Sequence, residues 1–323
     1  MASTLLDQVS VEESGPDQFV SRFNPGRMGN TANIAYGGCT LAAAVQAACR
    51  TVSPEYLLYS TLGNYLGPAL TDRKLTCSVR RVRDTRTFAT RQVEVSQEQQ
   101  DGAPRRLCMV VLADFQVREP ASLLAYSAPP SRSYSPVERC LGAAEAGEEM
   151  VRSGVVPRKL VGLHGVIFGL MARFFETRQA PEGVSAQNLG GLAKGVRTDQ
   201  DDLPITSKTS ADWFRCRHRL DRREDHHAGL AFVMDGALSF MPLTHSGMFV
   251  DDVAACSSLD FALRFFTGDV DLNNWHLREL KTVAGGEGRT YTESRLWDQS
   301  GTLVASMTQQ SILRPKRTAK PAL

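Results

Sequence analysis

The residues that could carry chemistry are an acid, a hydroxyl and an amide, each in an otherwise apolar segment of the C-terminal half. Asp235 interrupts the apolar run 231–241. A buried carboxylate is costly unless hydrogen-bond partners surround it. Ser258 and Gln309 lie on two later strand-like segments and could supply such partners. We therefore predict a small buried polar site in which Asp235 binds and activates a water as a general base.

Each of these residues also has a simpler structural explanation, which the sequence leaves open. Asp235 could cap a helix turn or face solvent. Ser258 alternates with Asp260 along one predicted strand face, which could simply face water. Gln309 shares a mostly apolar face and could be a buried structural amide. Gly236, next to the acid, would let a ligand approach the backbone closely.

Other catalytic and ligand-binding motifs are absent from the sequence. It contains no GxSxG elbow, no GxGxxG dinucleotide fingerprint and no GxxxxGK[ST] phosphate loop. Asp225-His226-His227 has the composition of a metal site, but it falls in a predicted charged loop without matching ligands. We therefore predict no metal and no cofactor.

Composition narrows the class of protein and its partners. The chain has 323 residues, 42% hydrophobic content and a formal net charge of +2, as in a soluble globular protein without nucleic-acid partners. Seven scattered cysteines without a CxxC pair indicate a reducing compartment. No secretory signal and no apolar run of membrane-span length are present. We predict a cytoplasmic protein; a peroxisomal location stays open, although the terminal Leu323 lacks the Ser-Lys-Leu pattern.

The candidate residues must be positioned by two blocks with the same order of elements. In the first block, Gly37-Gly38 opens an alanine-rich helix that runs to Arg50. Four strand candidates follow, with Asp101-Gly102 as the turn between the last two: 59–66, 74–83, 87–97 and 106–117.

The second block repeats this order about 200 residues later. A strand at 213–220 precedes a helix at 230–241 that ends at Pro242. Four strand candidates follow, with Ser300-Gly301 as the matching turn: 257–266, 275–283, 289–297 and 302–313. One helix followed by four antiparallel strands, present twice, predicts an α+β fold built from a duplicated unit.

The remaining segments complete the predicted domain organisation. Residues 119–137 are rich in Pro and Ser, which is typical of a linker. The apolar segment 161–175 fits either a helix or a strand, and the polar segment 179–209 is predicted to include a mobile loop. No function is assigned to this central region. The predicted parts are a tail at 1–17, a first unit at 18–118, a linker and irregular insertion at 119–210, a second unit at 211–314 and a basic tail at 315–323.

The residues together resemble the acyl-CoA thioesterase II family. In the first block the resemblance lies in Tyr36-Gly37-Gly38, the segment 59–68, Phe88 to Val93 and Asp114-Phe115. In the second block it lies in the following residues: Asp235, Ser258-Leu259-Asp260, Trp275, Gly301 to Ser306, Gln309 and Arg314. The resemblance covers about residues 18–118 and 211–314. It implies a double hotdog fold, in which two helices are each wrapped by a curved antiparallel sheet.

The resemblance also implies an activity and roles for the site residues. The family hydrolyses acyl-CoA without a cofactor, using an Asp, a Thr or Ser, and a Gln around one water. By position these are Asp235, Ser258 and Gln309, with a backbone N–H near Gly236 as oxyanion donor. We add candidate substrate-binding residues from both blocks: Gly236, Asp260, Gly37, Gly38 and Tyr59. An acyl thioester is the expected substrate; an acyl carrier protein and a second copy of the chain stay open as partners.

Departures from the family pattern surround the three residues. The family usually has Thr at Ser258, His at Tyr59 and Phe261, and a small polar residue at Asp114, which is aligned with Gln309. The three residues themselves are retained, so the leading hypothesis is hydrolysis of a CoA-linked or carrier-linked acyl thioester. A second hypothesis is a biosynthetic enzyme that releases, cyclises or rearranges a polyketide-like intermediate in the same cavity. A third is a non-catalytic acyl-binding module.

Overall fold

The computed structural model describes residues 2–30, 32–99 and 103–316. Its first half contains two helices and six strands, which follow one another along the chain. They are α1 (Leu5–Val9), β1 (Val11–Gly15), β2 (Gln18–Ser21), α2 (Gly37–Cys49), β3 (Tyr56–Tyr65), β4 (Thr76–Asp84), β5 (Phe88–Gln97) and β6 (Arg106–Val117). The predicted turn Asp101-Gly102 lies outside the described residues, as do residues 317–323 of the predicted basic tail.

The second half contains five further α-helices and seven strands, again in chain order. They are β7 (Leu141–Gly142), α3 (Ala143–Arg152), α4 (Arg158–Phe174), β8 (Phe175–Gln179), α5 (Val184–Gln187), β9 (Thr209–Cys216), α6 (Arg223–Met234), α7 (Met241–His245), β10 (Val253–Phe265), β11 (His276–Gly286), β12 (Arg289–Asp298) and β13 (Leu303–Pro315). No helix among the described residues combines the length and hydropathy of a membrane span.

All thirteen strands form one antiparallel sheet with internal symmetry. Its order is β1-β2-β4-β5-β6-β3-β10-β13-β12-β11-β9-β8-β7. The halves meet where β3 pairs with β10, with Leu62 opposite Ala262. A pseudo-twofold axis at this pair relates β3 to β10, β6 to β13, β5 to β12 and β4 to β11. The predicted α+β double hotdog is therefore confirmed.

Helices α2 and α6 form the centre of the core. The start of α2 lies beside the end of α6, since the hydroxyl of Tyr36 donates to the carbonyl of Phe232 at 2.6 Å. The end of α2 lies beside the start of α6, where Gln46 donates to Asp225 at 2.7 Å. The two helices are therefore antiparallel. The alanines of α2, which are buried, have side chains small enough for this close approach.

The helix that carries the candidate acid differs from its prediction. It spans Arg223–Met234, and Pro242 lies at the start of the separate short helix α7. The predicted charged loop Asp225-His226-His227 is instead the buried first turn of α6. The prediction failed because this polar turn is buried against helix α2, where Gln46 donates a hydrogen bond to Asp225. Arg222, directly before α6, also donates to Asp225.

Two predicted boundaries also differ. The predicted N-terminal tail forms α1 and β1, and Leu5 and Val9 are fully buried. The predicted insertion 119–210 contains β8, which pairs along its length with β9, so the second half of the sheet begins well before residue 211. The ambiguous segment 161–175 is mainly helix α4. These elements are short or glycine-containing, and β8 pairs with a strand that begins about 30 residues later in the chain.

We expect Gly63→Ala to destabilise the junction between the halves. A Cβ at Gly63 would lie 2.5 Å from the carbonyl oxygen of Val110 and 2.7 Å from the ring of Phe261. Overpacking of this kind costs about 1–3 kcal/mol. Urea unfolding would measure the change. Gly67→Ala is the matched control, since its Cβ would meet its nearest atom at 3.6 Å. Equal stability of the two variants would contradict the expectation.

Candidate active site

A buried carboxylate links the two halves of the molecule. Asp235 directly follows the last residue of α6 and is 6% exposed. Its Oδ1 accepts a hydrogen bond from the hydroxyl of Tyr65 at 2.6 Å and from the amide Nε2 of Gln309 at 2.8 Å. Tyr65 ends β3 and Gln309 lies on β13. The acid therefore joins one residue of each half.

The start of helix α2 supplies the third donor to the acid. The backbone N–H of Gly38 hydrogen-bonds to Asp235. The positive end of a helix dipole stabilises such an anion. A Cβ at Gly37 would lie 2.8 Å from Oδ2 of Asp235 and 2.9 Å from the ring of Tyr65. Gly37 therefore permits this contact because it leaves space for the acid and for Tyr65, whereas a Cβ at Gly38 would lie 2.5 Å from the carbonyl oxygen of Phe232.

Arg278 fixes the turn that carries the acid. Its Nη1 donates to the carbonyl of Val233 at 2.7 Å and to that of Gly236 at 3.2 Å, on either side of Asp235. Its Nε and Nη2 donate to the two oxygens of Asp212 at 2.9 and 2.7 Å. A guanidinium at the carbonyl end of α6 offsets the negative end of the helix dipole.

A bulge in strand β10 brings Ser258 to the same face of the sheet as Gln309 on β13. Strand β10 has an extra residue at Leu259, so Ser258 pairs with Ser311 while Phe261 pairs with Gln309. Residues opposite each other in a pair share a face. The hydroxyl of Ser311 donates to the amide oxygen of Gln309 at 3.3 Å. Ser258 therefore lies near the amide, but among the described residues its hydroxyl has no hydrogen-bond partner.

Asp260 lies on the opposite face from the predicted site. The bulge separates it from Ser258, and it accepts hydrogen bonds from the backbone and side chain of Gln310 at 3.2 and 3.1 Å. The prediction that Ser258 and Asp260 share a face is wrong, because alternation fails across a bulge. Tyr59 occupies the matching bulge of β3 and packs edge-on against Phe88, away from the acid.

The two halves match in their strands but not in their chemistry. The pairing of β3 with β10 makes Tyr65 equivalent to Phe265. The pairings of β6 and β13 make Ala113 the equivalent of Gln309, and not Asp114 as the sequence alignment assumed. Asp114 instead accepts from Thr90 at 2.6 Å. The hydroxyl and amide that hold Asp235 have apolar equivalents in the other half.

Tyr65 and Arg278 were missed by the sequence analysis. Tyr65 is separated from its partner by 170 residues, and a tyrosine at the end of a strand is unremarkable. The arginine lies in the predicted strand 275–283, which also carries Glu279 and Lys281, so its charge does not stand out as that of Asp235 does. No local signal in the sequence identifies Arg278 as buried or pairs it with Asp212.

A cavity of about 290 Å³ lies next to the acid-bearing turn. Gly236 and Ala237 form one end of it, while helix α4 and strands β8, β9 and β11 provide most of the remaining wall. Asp235, Ser258 and Gln309 are not among the lining residues. The central region of the chain, which had no predicted function, therefore encloses a cavity that reaches the backbone immediately after Asp235.

The backbone of this turn is strained and offers a free donor. Ala237 has φ of +78°, a conformation that residues with a side chain seldom adopt. The predicted oxyanion donor is a backbone N–H near Gly236, and the N–H of Gly236 itself is occupied by the carbonyl of Val233 at 3.1 Å. The N–H of Ala237 has no partner among the described residues, and Ala237 lines the cavity. Ala237 is therefore the better candidate for an oxyanion donor.

Comparison with known proteins supports the same division of the chain. Residues 24–116 match the family model for the acyl-CoA thioesterase N-terminal domain, and residues 173–313 match that for the C-terminal domain. The two matches cover most of the chain, one in each half. The second match begins next to β8, in agreement with the earlier start of the second half.

Solved structures with the same fold include several bacterial proteins. The acyl-CoA thioesterase II TesB2 of Mycobacterium marinum is 20% identical, with a TM-score of 0.67 over 96% of this chain and 98% of that one. A tesB protein of Mycobacterium avium subsp. paratuberculosis is 18% identical, with a TM-score of 0.68 over 96% and 98%. A hot dog protein of unknown function from Alicyclobacillus acidocaldarius is 16% identical, with a TM-score of 0.66 over 97% and 98%. With the N-terminal and C-terminal domain models matched in order, the chain belongs to the acyl-CoA thioesterase family of double hotdog hydrolases.

Proposed function

We propose that the protein hydrolyses an acyl thioester with a water activated by Asp235. The observation that carries the proposal is a buried carboxylate held by Tyr65, Gln309 and the start of helix α2. The same residue lies beside a cavity large enough to hold part of a small molecule. Membership of a thioesterase family supports the reaction type.

In the proposed reaction, Asp235 removes a proton from the water as the oxygen attacks the thioester carbonyl. Gln309 and Ser258 orient that water by hydrogen bonds, and the N–H of Ala237 stabilises the tetrahedral oxyanion. Collapse of the intermediate breaks the carbon–sulfur bond. The proton held by Asp235 then passes to the departing thiolate, which leaves as a thiol beside the free acid.

The surroundings of Asp235 change the pKa of its carboxyl in opposite directions. Burial raises the pKa of the carboxyl, and the hydrogen bonds from Tyr65, Gln309 and Gly38 lower it. Burial is the larger effect, so the pKa stays above the ordinary value of 3.8. A raised pKa makes the carboxylate a stronger base than a solvated one, and the three donors keep it oriented.

We expect Asp235→Asn to lower kcat/KM for thiol release by about 10²–10⁴, the usual contribution of a general base. Thiol release from short, medium and long acyl-CoAs would be followed with a thiol reagent. The matched control is Asp114→Asn, since this carboxylate belongs to a hydrogen bond in the other half. Retained activity in a folded Asp235→Asn protein would contradict the proposed role, as would equal losses in both variants.

We expect Tyr65→Phe to move the acid limb of the kcat/KM profile to higher pH by about one unit. Loss of one hydrogen bond to the carboxylate raises its pKa by roughly this amount. Tyr36→Phe is the matched control because its hydroxyl binds the carbonyl of Phe232 in the same core. If the profile does not move, or moves equally in the control, Tyr65 does not set the protonation of Asp235.

We expect the raised pKa of Asp235 to appear in the stability of the protein as well. A carboxyl whose pKa is higher in the folded state favours folding below its unfolded pKa and loses that contribution as pH rises through the folded value. Asp235→Asn lacks this titration. Its free energy of unfolding, minus that of the native protein, should therefore rise as the pH increases above the unfolded pKa of an aspartate, about 4. Urea unfolding at several pH values measures the difference; a difference that falls with pH would show a lowered pKa.

A further inference from the structure

Three polar side chains form a row across the floor of the cavity. Gln179 on β8 pairs with Asp212 on β9, and Asp212 pairs with Arg278 on β11. Residues opposite each other in neighbouring strands present their side chains to the same face. All three residues line the cavity, and Thr177, two positions before Gln179, lines it too. The polar row therefore faces the space beneath helix α4.

Part of the hydrogen-bonding capacity of this floor is unused. Four N–H groups of Arg278 are engaged by Asp212, Val233 and Gly236, and a guanidinium has five. Among the described residues the hydroxyl of Thr177 and the amide nitrogen of Gln179 have no partner. Thr177 and Gln179 are half-buried, so these groups can bind water or a ligand in the cavity. Donors are therefore available to a bound molecule.

The opposite wall is mainly apolar. Helix α4 contributes Phe168, Gly165 and Gly169, together with His164, whose pKa burial lowers to about 4. The imidazole is therefore neutral at neutral pH and can both donate and accept a hydrogen bond. An alkyl chain alone would leave the polar floor unpaired and desolvated, which is costly. A mostly apolar ligand that carries oxygen atoms would hydrogen-bond to the polar row and contact the apolar wall formed by helix α4.

We propose that this cavity is the acyl pocket and that it selects a compact acyl group bearing hydroxyl or oxo oxygens over a saturated fatty acyl group. The inference rests on the proposed thioesterase function, because the pocket ends at Gly236 and Ala237 beside Asp235. The carbonyl end of the acyl group lies at this turn. Its oxygenated part lies over Gln179, Asp212 and Arg278.

The test measures binding separately from turnover. Amide analogues of octanoyl-N-acetylcysteamine, plain or carrying a hydroxyl at carbon 3, 5 or 7, are titrated calorimetrically into the native protein. An amide in place of the thioester resists hydrolysis. We expect at least one hydroxylated analogue to bind about tenfold more tightly than the plain one. Gln179→Leu should reduce that preference several-fold, measured as the ratio of the two affinities in the same variant, because the amide that pairs with the hydroxyl is removed. Equal affinity for all four analogues overturns the inference.

A second pair of variants tests the location. Gly169 lines the cavity and Gly162 does not, although both lie on α4 and a Cβ added to either would meet no heavy atom outside the helix backbone within 4 Å. Leucine suits a helix better than glycine. We expect Gly169→Leu to weaken binding of every analogue about tenfold and Gly162→Leu to leave binding unchanged. Unchanged binding in folded Gly169→Leu overturns the location.

Failure of the proposed function gives a different result. Thiol release from the corresponding thioesters would be absent, while the hydroxylated amides would still bind and Gly169→Leu would still block them. That pattern supports the pocket and its preference and rejects catalysis by Asp235. Thiol release without any hydroxyl preference in binding supports the thioesterase and rejects the selectivity.

Discussion

The burial of one carboxylate between the two halves is the constraint on which the site depends. Asp235 is desolvated, and an unpaired charge in such a position would cost several kcal/mol or remain protonated. Tyr65, Gln309 and the N–H of Gly38 compensate for it. Each donor comes from a different element, so the helix start, the end of β3 and the middle of β13 must meet at one point. The pairing of β3 with β10 and the antiparallel packing of α2 on α6 bring them there.

Internal duplication produced a symmetric scaffold with an asymmetric site. The bulges at Tyr59 and Leu259 occupy equivalent positions, and the strands of the two halves follow the same order. The polar partners do not repeat, since Phe265 and Ala113 stand where Tyr65 and Gln309 would be expected. One copy of the unit therefore supplies the acid and amide, and the other supplies the tyrosine and the glycine-rich helix start. Neither half contains the site alone.

The central region connects this site with a pocket. Helix α4 forms the roof of the cavity, and β8 extends the sheet so that Gln179 joins the row with Asp212 and Arg278. The guanidinium of Arg278 contacts both the acid-bearing turn and the cavity. It donates to the carbonyls on either side of Asp235, and it also lines the cavity. The orientation of the acid and the polarity of the pocket are thus coupled through one buried ion pair, whose loss would leave a desolvated charge.

Local patterns predicted the duplicated α+β architecture, most strands and the burial of Asp235 with Gln309 as a hydrogen-bond partner, because alternation, turn residues and a charge in an apolar run are local signals. The sequence also identified Ser258, but placed it on the wrong face, since a bulge reverses alternation without marking the sequence. Tertiary structure alone decided the role of Tyr65, the true equivalent of Gln309 in the first half, and the burial of Asp225 in α6. It also decided that residues 141–179 form a pocket wall. These features depend on contacts between residues far apart in the chain, and local pattern carries no information about which distant donor a buried carboxylate meets.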